Sequence, residues 1–309
     1  MERSGATLAL EEPLADIERN FKSDGDEGHP GFTLQTPLRA LRTERLLLTT
    51  GGLSYPGSGT TGDGYTWARK LGHTIVPPRP ALVPITANPA WLPPLRGITL
   101  PDVKVQVCEP GENGKRTVLD ERRDSFLFAH FGLSGPAVLD ASRAVSGHAD
   151  PRKLILVCDL LPELSDEAFD ARLREQAAAE GKKQLPAILA AVSAELPRRL
   201  IETLIELAGQ SLEQRGAELG KDARRKLVQA FKHLEIPITG TMGFKKAEVT
   251  AGGVSLAEVD SRTMESKLVP NLYFAGEILD LDGPIGGYNF QAAFSTAWLA
   301  AERMALTGE

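Results

Sequence analysis

Two short apolar runs in this chain each stop at glycine: LLLTTGG at 46–52 and LYFAGE at 272–277. Runs of this kind suit strands buried on both faces of a parallel sheet, whose carboxyl ends form ligand crevices. The second run leads through LDLDGPIGGYN into a helix expected from Gly286-Gly287-Tyr288-Asn289 to about Met304. Paired glycines let backbone approach a flat or anionic ligand closely. The unspent N–H groups of the first helical turn, near Asn289 to Ala292, favour negative charge. Glu277 and Asp280 stand at the strand end, where carboxylates can accept hydrogen bonds from ribose or ribityl hydroxyls. Taken alone, the glycine pattern also fits tight turns at domain corners.

The elements that would position these residues fall into blocks. Ala6 to Leu10 and Phe32 to Thr36 are expected strands, with a turn from Lys22 to Pro30 between them. The glycine-rich loop at 53–65 leads into a helix over about 64–71, with Thr61 or Asp63 as its cap. PPRPALVPITANPAWLPPL (77–95) is too rich in proline for helix interiors or central strands and marks a domain crossing. Short β-prone pieces follow at 103–108, 117–120 and 125–129, then a helix over 135–145 and an apolar strand over 153–158. Ser165 opens three or four helices, broken near 181–186, at Pro197 and around 209–220. Leu200, Leu204, Leu207 and Ala208 recur at helical spacing as a packing face, and KDARRK (221–226) reads as a solvated one. AEVTAGGVSL (247–256) reads as a hairpin or bulged strand pair around Gly252-Gly253.

Composition narrows the function classes. Acids exceed bases 41 to 35, a net charge of −6, which argues against a dominant phosphate-backbone binder. No apolar window reaches membrane-spanning length, and the first residues lack a signal-peptide core. The two cysteines, Cys108 and Cys158, form no C-x-x-C pair, and the five histidines show no metal-ligand spacing, so no metal is expected. A reducing, cytoplasmic-type compartment follows. GLSGP (132–136) lacks the second glycine of a serine-hydrolase elbow, and GSGTTGDG (57–64) lacks the lysine of a P-loop.

Over SYPGSGTTGDGY (54–65), LGHTIVPPRPALVPI (71–85), FAHFGLSGPAVLDAS (128–142) and TAGGVSLAEVDSRTMESKLVPNLYFAGEILDLDGPIGGYNFQAAFS (250–295) the chain resembles the BaiN/RdsA or YhiN family of FAD-dependent oxidoreductases, also called aminoacetone-oxidase-like. The resemblance is colinear over roughly 32–300. It implies an α/β fold: a partial FAD/NAD(P)-binding Rossmann-like domain (1–79 plus 240–309) interrupted by a β-rich insertion (80–160) and a small helical subdomain (161–239). It implies FAD as cofactor, NAD(P)H as a possible co-substrate and a small-molecule substrate; the acidic balance and the lack of a long apolar window separately lead to an expectation of no nucleic acid and no membrane partner. By position, Thr50, Gly51 and Gly52, then Gly276, Glu277 and Asp280, lie near the cofactor. Gly286, Gly287, Tyr288, Asn289 and Gln291 lie near the flavin ring, with Ser134, Gly135 and Pro136 bordering it from the insertion. A helix N-terminus there would stabilise the negative charge of reduced flavin at its N1/C2 edge. No catalytic residue is assigned, Tyr288 and His130 being candidates for proton transfer.

Two departures from the family stand out. The opening strand and its G-x-G-x-x-G turn, with the acidic residue that holds the adenosine ribose, are missing, as if about one hundred residues were absent. The alternative expectation is therefore a non-catalytic remnant or subunit, with a separate chain supplying that segment and an uncovered sheet edge or face where it would sit. Trp298, in STAWLAAE, would also have to fit where the family has a small residue.

Overall fold

The computed structural model describes residues 5–20 and 31–306. The expected turn at 22–30 lies outside the described residues. The chain divides into two compact units, one made of the residues up to Pro78 and from Val249 onward, the other of Arg79–Glu248.

The first unit opens with an antiparallel meander of β1 (Asp16–Asn20), β2 (Gly31–Gln35) and β3 (Ala40–Thr43). Ala6–Leu10, expected as a strand, is irregular and exposed; it lacks the alternation that would give a strand a buried face. β4 (Leu46–Leu48) is the expected buried run. Helix α1 (Asp63–Lys70) follows, and its cap is neither Thr61 nor Asp63 but Gly62 at φ +79°. Thr61 Oγ1 instead donates to Asp63 Oδ2 at 2.7 Å. β5 (Ile75–Ala81) runs through the prolines 77, 78 and 80. A strand is possible there because among the described residues it has one strand partner, β13, leaving a side where missing N–H groups cost nothing.

The second unit is built on a seven-stranded antiparallel sheet. It takes β6 (Ile85–Thr86), the long hairpin β7 (Thr99–Pro110) and β8 (Arg116–Ala129), β9 (Gly132–Ser134), β10 (Ile155–Asp159), β11 (Leu234–Pro237) and β12 (Gly240–Thr241), in the order β11-β10-β7-β8-β9-β6-β12. The three short β-prone pieces expected between 103 and 129 are thus parts of one hairpin. α2 (Pro136–Gly147) packs on β7 and β8. Four further helices follow: α3 (Asp166–Ala179), α4 (Leu185–Val192), α5 (Arg198–Leu207) and α6 (Lys221–Lys232). Ser165 Oγ accepts the Ala168 N–H at 3.1 Å as the expected cap. One core joins sheet and helices, with Phe126, Phe128, Leu156, Phe169, Leu200, Leu204 and Phe231 fully buried. Leu207 departs from its expected place and is exposed.

The chain then returns to the first unit. β13 (Val249–Val254) is one strand, wholly buried and paired with β5, and not the expected hairpin or bulged strand pair within 247–256. Its glycines do not turn; they let backbone pass between backbones. A Cβ on Gly252 would stand 2.6 Å from the Pro77 carbonyl oxygen, and one on Gly253 2.5 Å from that of Ile278. β14 (Leu272–Phe274) pairs in parallel with β4, Leu272 opposite Leu46 and Phe274 opposite Leu48. The final helix is α7 (Tyr288–Leu306). None of the described helices is long and apolar enough to cross a membrane.

His73, 2% exposed, illustrates how tightly this unit fixes its polar groups. Ser266 Oγ accepts the N–H groups of Leu268 (3.0 Å) and Val269 (2.8 Å), which fills both its lone pairs. Its own proton must therefore go to His73 Nε2, 2.8 Å away. The imidazole is thereby neutral, with its proton on Nδ1, 3.2 Å from Glu258 Oε2 but off the hydrogen-bond line. Burial holds its pKa below the usual histidine range, against the upward pull of Glu258. The unfolded chain thus takes up a proton at higher pH than the native state. Stability present above about pH 6.5 is lost as the pH falls through and below that value. Thermal midpoints measured from pH 8 to pH 5 should fall more steeply for the natural chain than for His73→Phe.

Candidate functional site at the carboxyl ends of β4 and β14

Past β4 the backbone turns at Gly51, φ +72°. A Cβ at Gly52 would collide with the Glu277 carboxylate and the Thr250 side chain, so only glycine leaves room for that carboxylate beside the loop. Thr60 Oγ1 donates to the Gly52 carbonyl at 2.5 Å. Thr250, on β13, holds the arrangement together. Its Oγ1 accepts the N–H groups of Leu53 (2.8 Å) and Ser54 (3.1 Å), and its own N–H donates to Glu277 Oε1 at 3.0 Å. Thr50 lies against Gly64 at the head of α1, where a Cβ would meet its hydroxyl.

Glu277 is half-buried, and burial raises its carboxyl above the usual range despite the hydrogen bonding from Thr250 that opposes the shift. Tyr65, 5% exposed, donates to the Glu277 carbonyl oxygen at 3.4 Å. Burial first, then the charges of Glu277 and Asp280, push its phenol far above its ordinary pKa, so it keeps its proton throughout the physiological range. Asp280 is half-buried, and its carboxylate accepts no hydrogen bond from any described residue.

The native Glu277 carboxyl holds its proton to higher pH than the unfolded chain does. Its contribution to stability is therefore present below the unfolded value, about 4.3, and is lost as the pH rises through the native value. Glu277→Gln keeps an acceptor for the Thr250 N–H and removes the charge. Its unfolding midpoint should match the natural chain's near pH 4 and exceed it by pH 7.

At the far side of the site, Gly276 N–H donates to Thr296 Oγ1 of α7 at 2.9 Å, and that hydroxyl donates on to the Ala292 carbonyl at 2.7 Å. Asn289, expected near the flavin ring, is half-buried. Its side chain clamps Gly283, accepting its N–H and donating to its carbonyl, both at 2.9 Å. Gln291 is likewise spent on Ser295, at 2.8 Å on an exposed helix face. Gly286 (φ +116°) and Gly287 (φ +93°) are exposed, and nothing lies within 4 Å of a Cβ built on Gly287. Among the described residues, no acceptor takes the backbone N–H groups from Gly286 to Phe290. Tyr288 is 61% exposed beside them. The head of α7 therefore offers a run of unspent donors at the positive end of a helix of nineteen residues.

Ser134, Gly135 and Pro136 belong to the other unit. Ser134 ends β9, Gly135 (φ +91°) caps α2 against the backbone of Ser125 and Phe126, and Pro136 is the first helical residue. His130 is exposed at the β8–β9 turn, its ring edge on Phe131. Sequence reasoning missed Thr250, Tyr65 and Thr296. Thr250 and Thr296 bracket the matched segment in which the glycines drew attention, but a hydroxyl that ties loops together has no spacing signature.

The HI0933-like protein Rossmann-domain profile matches residues 2–303. The chain belongs to the HI0933-like family. Three relatives carry established names. It is 39% identical over 272 residues to the ribosomal RNA dihydrouridine synthase of Escherichia coli K12, covering 88% of this chain and 63% of the relative. It is 36% identical over 302 residues to the protein of the same name from Haemophilus influenzae Rd, covering 97% and 69%. It is 31% identical over 280 residues to the 3-dehydro-bile acid delta(4,6)-reductase of Clostridium scindens, covering 89% and 65%. This HI0933-like chain thus spans about two thirds of the length of the relatives it matches. The fold class is that of the family, a Rossmann-like α/β domain, and its relatives include an oxidoreductase.

Proposed function

We propose that this chain carries the ring-binding side of an FAD-dependent oxidoreductase that reduces a carbon–carbon double bond conjugated to a carbonyl. The observation that carries this reading is the run of unspent N–H groups at Gly286 to Phe290 beside glycines with no side chain to block approach. That surface fits a flat, electron-rich ring, and the two carboxylates Glu277 and Asp280 stand at the strand end where ribityl or ribose hydroxyls need acceptors. Bound there, flavin supplies hydride transfer, with NAD(P)H as the source of electrons. The helix head would favour the negative charge that develops on reduction, and Tyr65, kept protonated, holds the Glu277 backbone in place. The relatives' names support the reaction class: a dihydrouridine synthase and a delta(4,6)-reductase each remove a double bond conjugated to a carbonyl.

The G-x-G-x-x-G spacing occurs once, at GSGTTG (57–62) between β4 and α1, outside any opening strand–turn–helix segment of the kind that anchors a pyrophosphate. Part of the surface is shaped for such a segment. β4 has one strand partner among the described residues, β14, so its other edge is open. On α7, Phe290, Phe294 and Trp298 follow at four-residue spacing on one face and are 72%, 73% and 71% exposed. Trp298 thus faces outward in this chain. The occupant of this face is a strand–glycine turn–helix segment, of the kind the additional third of the relatives' length can hold. Its strand would pair with β4 and its helix would cover the aromatic face. Without it the chain is a non-catalytic module, the second reading.

The test is a titration with FAD followed by visible absorbance. It is run on the chain alone and after mixing with the part of the E. coli relative to which the chain does not align. Stoichiometric flavin binding and NADPH-dependent bleaching in either arm support the reading. No flavin uptake in both arms overturns it.

A further inference from the structure

The unit formed by Arg79–Glu248 holds a basic hollow of about 410 Å³ lined by Arg79, Arg122, Arg143 and His148. Four elements bring these residues together: the end of β5, the middle of β8, the last turns of α2 and the turn after it. Its lining holds three guanidinium groups and one carboxylate, Asp120, in a protein whose net charge is −6, and Arg143 is engaged with a partner of its own. Asp120 engages Arg122 through Nε at 3.1 Å, and Glu109 lies 3.4 Å from His148 Nε2. Arg79 is different. Its Nε is fully buried with no hydrogen-bond partner. Its guanidinium lies over Gly147, where a Cβ would stand 3.3 Å from Nε. The residue as a whole is half-buried and lines the hollow, so the cost is that of one buried N–H left unpaired, and an acceptor bound there offsets it.

We infer that this hollow binds a phosphate group. Guanidinium forks match phosphate oxygens two at a time, and several on one concave surface select phosphate over a lone carboxylate. The phosphate has two possible sources of the same chemistry, the backbone of a single-stranded polynucleotide and a free nucleotide such as NADPH. The site does not depend on the flavin reading, since none of its residues belongs to the unit carrying Glu277 and α7. The negative overall charge argues against a broad polyanion-binding face, and one local reversal of sign is compatible with it.

The experiment measures fluorescence anisotropy of a labelled single-stranded RNA 20-mer on the full chain, with inorganic phosphate and NADPH as competitors. Arg79→Gln should weaken binding about tenfold. For RNA it should also lower the slope of log K against log salt by about 0.7 for each phosphate no longer neutralised. Gly147→Ala, which keeps every charge but displaces the Arg79 fork, should weaken binding in the same direction. Arg198→Gln on α5, an exposed arginine paired with Glu202, should leave it unchanged. RNA binding with these responses identifies the polynucleotide as source. Phosphate or NADPH binding that Arg79→Gln weakens, without RNA binding, identifies the free nucleotide. Either supports the site. No binding of any probe, or equal binding by the natural chain, Arg79→Gln and Gly147→Ala, overturns it.

Discussion

Replacing Phe290, Phe294 and Trp298 together by lysine is expected to abolish any gain in flavin binding on adding the complementary strand–helix segment, while leaving the chain folded. The three side chains are more than 70% exposed, so their removal takes nothing from the core of the unit. Covering them would withdraw about 150 Å² each, on the order of 10 kcal/mol of gross apolar burial. Association costs consume much of that, so losing it leaves little or no affinity. Circular dichroism should show unchanged helix content. Size-exclusion chromatography should show less self-association than for the natural chain, because the largest exposed apolar stripe on α7 has become charged. Persistent co-elution of the triple variant with the segment would remove α7 from the interface.

The second large effect concerns Gly253. An alanine there would place its methyl carbon 2.5 Å from the Ile278 carbonyl oxygen and 2.8 Å from Leu279, at a φ of +139° that side chains rarely adopt. Overpacking of this kind costs roughly 1–3 kcal/mol, and the backbone strain adds about 1–2 kcal/mol. Gly253→Ala should therefore lower the melting temperature by on the order of 10 °C. Gly72→Ala, at φ +96° with nothing within 4 Å, carries only the strain and should cost a few degrees. Differential scanning calorimetry of the two variants separates the terms. Equal shifts would mean that the backbones flanking β13 yield to the methyl group.

What the sequence made legible follows from local physics. β4 and β14 were readable because three or four apolar residues stopped by glycine leave few alternatives, and α3 because Ser165 caps it. The proline-rich stretch 77–95 reads as a domain crossing without central strands, yet β5 runs through its first prolines because among the described residues they lie beside a single strand partner. The Gly252-Gly253 step was misread because glycine as a turn residue and glycine as a spacer between backbones look alike until the partners at Pro77 and Ile278 are known. At the candidate site, type and spacing point to the glycines and carboxylates but not to what each side chain bonds: Asn289 and Gln291, expected near the flavin ring, are hydrogen-bonded to Gly283 and Ser295. Thr250 was invisible because its role depends on bonds to residues some two hundred positions away.

The two cysteines have a practical bearing. Cys108 on β7 and Cys158 on β10 are 1% and 0% exposed, and burial raises both thiols, so neither presents a thiolate to reagents at neutral pH. A cysteine introduced at Phe290 or Trp298 would then be the lone site for maleimide dyes or spin labels. Distance and docking measurements on α7 can be made without first stripping the native sulfur from the protein.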